Sequence, residues 1–190
     1  MKASEYNINH WNKNEIWTHL EWPKHQTRFK LIADYLIGKT FCDVGCGLGH
    51  STDILKRFKP GKWSGVEFYQ PNVDEGIKLF EKIDFYYCDE STLDIHSACG
   101  KRFDSVVCSE VIEHVERPVL LVMELLRITK KRLVITTPCV YVNDPGHLRI
   151  YTKEMIESIM KKCKVSSYDI MKKIKVNGKE VFWYVVIDNE

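Results

Sequence analysis

The residues best able to move protons or hold a cation fall in two short stretches. SEVIEHVERP (109–118) carries Ser109, Glu110, Glu113 and His114. If the chain turns helical there, Glu110, Glu113 and His114 lie at i, i+3 and i+4 on one face. NDPGHLRIYT (143–152) adds His147, Arg149 and Tyr151. An imidazole or carboxylate beside an oxygen or nitrogen nucleophile can take its proton as a bond forms. The same Glu, Glu, His and distant His can instead supply oxygen and nitrogen ligands to a divalent metal. Each histidine also has a plain structural role open to it. His114 can shape a pocket through hydrogen bonds, and His147 can fix the turn after Pro145-Gly146.

A third stretch, FCDVGCGLGH (41–50), points to a ligand. Gly45, Gly47 and Gly49 follow Asp43 at every second position. Glycine lets a backbone approach a ligand closely, and a helix N-terminus behind it favours negative charge. The dinucleotide fingerprint is G-x-G-x-x-G. Here the second spacing is one residue short, and Asp43 would sit badly against a pyrophosphate. The expected ligand is a nucleoside without phosphates that carries a positive group. Glu67 lies 18 residues beyond Gly49, close to the roughly 20-residue offset at which a carboxylate accepts ribose hydroxyls. Asp89 ends the next apolar run, where it can accept from an adenine amino group. Singly, each acid can be a solvated turn cap. Three at successive strand ends, one beside such a loop, argue for a site.

These groups need a sheet edge to hold them. Apolar residues at helical spacing run from Lys24 to Ile37, through Phe29, Ile32, Ala33 and Leu36. Strand-like runs follow at Thr40–Val44, Trp63–Glu67, Phe85–Cys88, Phe103–Cys108 and Arg132–Thr137. Helical spacing lies between them at Thr52–Phe58 (Ile54, Leu55, Phe58) and Val73–Phe80 (Val73, Ile77, Phe80), then at Pro118–Ile128. Thr152 is placed to cap a further helix. Asp94–Lys101 reads as polar and irregular. Val165–Met171 and Val181–Ile187 flank Asn177-Gly178, a hairpin turn signal. The alternation predicts an α/β fold, a doubly wound and mostly parallel sheet with helices on both faces. A closing hairpin must be antiparallel, which puts one reversed strand near the edge.

Residues 1–22 hold Tyr6, Trp11, Trp17 and Trp22 among polar residues and are expected to form an aromatic arm or lid. Residues 23–190 are expected to be a single domain. The 190 residues are 44% hydrophobic and 28% charged, with a net charge of +2. That is an ordinary globular composition, which neither demands nor excludes a nucleic-acid partner. No apolar run approaches the roughly 20 residues of a membrane span, and the N-terminus is too polar for a signal peptide. Seven cysteines without a CxxC pair fit a reducing, cytoplasmic setting rather than a disulfide framework. The lysines at 161, 162, 164, 172, 173, 175 and 179 read as a solvated helix face and hairpin edge, or as a patch that tracks phosphates.

Taken together, these stretches resemble the class I S-adenosylmethionine-dependent methyltransferases. DVGCGLG is similar to their first motif, VEF with Glu67 to the ribose-binding second, and YYCDE to the adenine-contacting third. FDSVVCSEVIEHV resembles the fourth, and RLVITTP the strand that follows. The resemblance implies a seven-stranded sheet and S-adenosyl-L-methionine as cofactor. It places Asp43, Gly45, Cys46, Gly47, Gly49, Glu67, Asp89, Glu90 and Ser109 around that cofactor. It implies transfer to oxygen or nitrogen of a small or medium polar acceptor, with Glu110 ordering the methionyl end and His114 or His147 as base. EVIEH with a later histidine also resembles the metal site of the RNA 3′-terminal ribose 2′-O-methyltransferases. That alternative would make Glu110, Glu113, His114 and His147 ligands to Mg²⁺ or Mn²⁺. A further alternative is a non-catalytic cofactor-binding partner subunit.

Overall fold

Strands covered on both faces by crossover helices read as nearly continuous apolar runs, which is why their alternation is visible in the sequence. The computed structural model describes residues 20–141, 144–176 and 179–189. Helix α1 (Pro23–Tyr35) leads into β1 (Thr40–Val44), α2 (His50–Phe58), β2 (Lys62–Glu67), α3 (Gln70–Leu79) and β3 (Ile83–Tyr87). Then come α4 (Ile95–Cys99), β4 (Phe103–Ser109), α5 (Pro118–Ile128) and β5 (Thr129–Pro138). Helix α6 (Lys153–Lys162) precedes the hairpin of β6 (Tyr168–Val176) and β7 (Lys179–Asp188).

The strands form one seven-stranded sheet in the order β3-β2-β1-β4-β5-β7-β6. Strands β1 to β5 run parallel, and β7 is antiparallel to both β5 and β6. The reversed strand therefore sits next to the edge, as the hairpin signal required. The direction of winding changes between β1 and β4. In open α/β sheets, the crevice beyond that point is where ligands bind.

Side chains alternate between two cores, as the two-residue period of a strand dictates. Phe41 of β1 and Val107 of β4 join the core under α1 and α2, with Phe29, Ile32, Ile54 and Leu55. Their neighbours Cys42 and Val106 join the core on the other face, with Ile95, Leu121, Leu125 and Ile159 from α4, α5 and α6. Helix α5 opens on Pro118, and the Thr152 hydroxyl accepts the Met155 N–H to cap α6.

Some expectations shift. Asp94–Lys101 is not irregular: the Asp94 carboxylate accepts the Ser97 N–H and starts the single turn of α4. Phe58 and Ile77, expected on the inner faces of their helices, are 42% and 54% exposed. Each lies in the last turn of its helix. Strand β6 starts at Tyr168 rather than Val165. Of the expected arm, Tyr6, Trp11 and Trp17 lie outside the described residues. Trp22 is half exposed, with the Lys24 ammonium 5.1 Å from its ring. No helix among the described residues is long and apolar enough to cross a membrane.

Candidate active site

The glycine loop joins the end of β1 to α2, and its amides face inward. Gly45 and Cys46 donate to the Val66 carbonyl at 2.8 and 3.2 Å, and Gly49 to the Cys46 carbonyl at 2.9 Å. Gly47 donates to Glu67 Oε2 at 2.9 Å. A phosphate cradle needs such N–H groups turned outward. Their commitment to protein acceptors agrees with the spacing argument against a pyrophosphate. All three glycines have positive φ, but they do different things. A Cβ on Gly45 would stand 2.3 Å from Val111 Cγ2, and one on Gly49 2.4 Å from Phe85 Cζ. A Cβ on Gly47 would meet nothing within 4 Å. Gly45 and Gly49 are thus required by packing, and Gly47 alone leaves room for a ligand.

The acids divide in the same way. Asp43 is buried and accepts from the Ser51 and Thr52 hydroxyls at 3.0 and 2.7 Å, tying β1 to the first turn of α2. Burial raises its pKa, and the two hydroxyls and the Arg28 charge work against that rise. Glu67 is also buried, accepting from Gly47 N and, at 3.2 Å, from Tyr69 N. Burial pushes it up to about 7 despite those donors. The Cys46 thiol packs against Gly65, where an added Cβ would come within 2.6 Å of it. Beyond β3, Asp89 is exposed and its carboxylate accepts the Ser91 N–H at 2.8 Å. Asp89 and Glu90 line a cleft of about 550 Å³ with Tyr69, Tyr87, Leu93 and His114.

After β4 the chain does not turn helical. Ser109 shares a 2.8 Å hydrogen bond with the Thr136 hydroxyl. Glu110 then takes φ +59°, and residues 112–114 form a turn. The expected single face for Glu110, Glu113 and His114 is therefore broken. Glu110 Oε2 pairs with Arg28 Nη1 at 3.2 Å, and Oε1 accepts from Thr136 Oγ1 at 3.4 Å. Glu113, 1% exposed, accepts from Thr137 Oγ1 at 3.1 Å through Oε2, while Oε1 is buried with no partner.

The loop after β5 fastens onto this turn. Leu148 N donates to the Glu113 carbonyl at 2.9 Å, Arg149 Nη1 to Val115 at 3.0 Å, and the Tyr151 hydroxyl to Ile112 at 3.2 Å. His114 Nδ1 lies 3.0 Å from the Gly146 carbonyl, and the His114 and His147 rings meet edge to face at 4.8 Å. Burial lowers the pKa of both imidazoles. Donor atoms of Glu113, His114 and His147 lie within 4.8 Å of one another. That group is three of the four ligands expected under the metal alternative, with Glu110 turned instead to Arg28.

Arg28 is the residue that sequence reasoning passed over. It is one of 28 lysines and arginines, and nothing in its neighbours marks it. In the fold it lies buried on α1 with its guanidinium 5.0 and 5.2 Å from the Phe29 and Phe182 rings.

Residues 42–135 match a family profile described as "Methyltransferase domain". No curated protein matches the chain. Among solved structures, the chain is similar to magnesium protoporphyrin IX methyltransferase (ChlM) from Synechocystis PCC 6803 with bound SAH. There the identity is 15%, over 98% of this chain and 92% of that one, with a TM-score of 0.67. It is similar to the plantazolicin methyltransferase BamL in complex with a triazolic desmethylPZN analog and SAH, at 12% identity, 98% and 94% coverage and TM-score 0.71. It is also similar to the [4+2]-cyclase SpnF, at 15% identity, 87% and 80% coverage and TM-score 0.66. The strand order is that of these methyltransferase structures, so the chain has the class I S-adenosylmethionine-dependent methyltransferase fold, and the matched methyltransferase domain carries the glycine loop and the acids beyond β2 and β3. S-Adenosylmethionine is its cofactor. The residues fit it: Gly47 is open, Glu67 lies beside it, and the N–H groups of Gly45, Cys46, Gly47 and Gly49 are committed to protein acceptors.

Proposed function

We propose that the chain is a working methyltransferase that acts on oxygen or nitrogen of a small or medium polar acceptor. The observation that carries this reading is the His114–His147 pair, held edge to face by two loops fastened to each other. A carbonyl oxygen only accepts, so the contact with Gly146 puts the His114 proton on Nδ1 and leaves Nε2 as the basic nitrogen. Burial keeps both rings neutral at neutral pH, the form that takes a proton from an acceptor hydroxyl or amine. S-Adenosylmethionine supplies a methyl group on a cationic sulfur, which leaves readily. The chain's task is to hold the acceptor in line and exclude water. Glu67 and Gly47 hold the nucleoside side, Asp89 and Glu90 border the cleft, and Glu110 with Ser109 stands at the end of β4 facing the reacting groups.

The test is transfer of labelled methyl to a broad panel of hydroxyl and amine acceptors, in chelator. Turnover that His114→Gln or His147→Gln removes supports the reading. Cofactor binding without turnover on any acceptor would favour the non-catalytic partner subunit instead.

A second reading is metal-assisted methylation of the terminal ribose 2′-hydroxyl of RNA. It rests on the Glu113, His114 and His147 cluster and on the unpartnered Glu113 Oε1. One carboxylate and two imidazoles suit Mn²⁺ or a later transition ion better than Mg²⁺. The Gly146 contact would orient the His114 ring for ligation through Nε2. Mn²⁺ that raises the thermal midpoint of wild type but not of Glu113→Gln would favour this reading. Full activity in chelator would exclude it.

A further inference from the structure

We propose that Arg28 receives the α-carboxylate of the cofactor's amino-acid end, with Glu110 beside it for the α-ammonium. S-Adenosylmethionine ends in a zwitterionic amino acid, so one part of the site must accept a carboxylate. Most of the edge is unsuited to this, because Asp43, Glu67 and Glu113 are buried acids and Glu110 stands among them. The glycine-loop amides at 45, 46, 47 and 49 are already bonded. Among the described residues, Arg28 is the one buried lysine or arginine.

Its geometry fits the task. Nη1 is held by Glu110 Oε2 at 3.2 Å, while Nε is buried with no partner. A guanidinium offers carboxylates a planar fork, and the Phe29 and Phe182 rings fix its plane here. An adjacent Arg⁺ and Glu⁻ mirror the two charges of a zwitterion. The pair also lies where the amino-acid end must pass. Glu110 follows the last residue of β4, and the next residue, Val111, packs on Gly45 of the cofactor loop.

The competing role is structural: Arg28 would only neutralise the buried acids around it. Calorimetry on the full chain separates the two. The probes are S-adenosylhomocysteine and 5′-methylthioadenosine, which keeps the nucleoside and sulfur but lacks the amino-acid end. Arg28→Met should weaken S-adenosylhomocysteine at least about tenfold. It should leave 5′-methylthioadenosine within about twofold, and Arg28→Lys should fall between, keeping charge without the fork. Equal losses for the two ligands, or no loss for either, would overturn the proposal.

Removing one member of a buried ion pair can unfold a protein. The double variant Arg28→Met/Glu110→Gln, which removes both charges, is therefore compared with Glu110→Gln alone. A further loss confined to S-adenosylhomocysteine supports the role of Arg28, and its absence refutes it. These readouts are of binding, so they hold whether or not a methyl acceptor is found.

Discussion

The Gly47 N–H donates to Glu67 Oε2 at 2.9 Å, so the open glycine of the loop and the acid that ends β2 form one unit. The Tyr69 N–H on Oε1 completes a two-sided grip on a fully buried carboxylate. Asp43, two residues before the first glycine, faces the opposite way into α2. Of the two acids that bracket the loop, Glu67 is the one proposed to meet the nucleoside, and Asp43 braces the turn.

This arrangement sets a pH dependence. Glu67 titrates near 7 in the folded, ligand-free protein, above its ordinary 4.5. Between those values the folded state binds more protons than the unfolded state, so the Glu67 contribution to stability falls as pH rises. It is full below about 4.5 and lost above about 7. Ribose hydroxyls need the carboxylate as acceptor, so cofactor affinity should rise through the upper part of the same window. Thermal midpoints and S-adenosylhomocysteine titrations at pH 5.5 to 8.5 test both slopes. Glu67→Gln should flatten both and weaken the ligand about tenfold or more.

The three glycines should separate under alanine substitution. Gly45→Ala and Gly49→Ala drive a Cβ into Val111 and Phe85 and keep a positive φ. Each should cost roughly 2–4 kcal/mol of stability. Gly47→Ala meets no atom, so it should cost only the roughly 1–2 kcal/mol of a left-handed alanine. Its larger effect should be on ligand affinity. Unfolding midpoints paired with titrations distinguish the two patterns.

His114→Gln and His147→Gln should each lower methyl transfer about 100-fold or more, the scale of a lost general base. S-Adenosylhomocysteine affinity should stay within about threefold, because the two rings belong to the loops after β4 and β5, where His114 contacts Gly146 and packs on His147. Single-turnover transfer beside calorimetry checks this. A parallel loss of binding would assign the rings to the cofactor instead.

Tyr151→Phe removes the hydroxyl that donates to the Ile112 carbonyl in a buried position. The expected cost is about 1 kcal/mol, or roughly 2–4 °C in a chain of this size. Transfer should slow more than stability alone explains, because this bond helps fasten the His147 loop to the His114 turn. Ligand affinity should not change.

The parallel strands and their helices were legible because burial on both faces leaves long apolar runs, and each crossover helix has a clear start or stop. Five residues are too few to show a helical period, so α4 was visible only in its Asp94 cap. Strand β6 is an edge that mixes Asp169, Lys172, Lys173 and Lys175 with apolar residues, and its start slid by three positions. The site was legible in which residues it contains but not in how they divide. Composition cannot show that Gly45 and Gly49 serve Val111 and Phe85, nor that Glu110 takes a left-handed φ and pairs with Arg28. Arg28 left no trace, because its importance comes from partners contributed by the turn after β4 and by β7, more than 80 positions along the chain.

Strand β7 follows β6 in sequence but lies inside the sheet, between β5 and β6. A ribosome that has made everything through β6 has therefore made an edge with no neighbour to bond. Strand β5 waits with an open flank until β7 emerges and the hairpin docks as a pair. During that interval the unbonded backbone edge of β5, Leu133 to Ile135, is open to pairing with strands of other nascent chains, and β7, the latest in sequence of the seven strands, is the one that closes it.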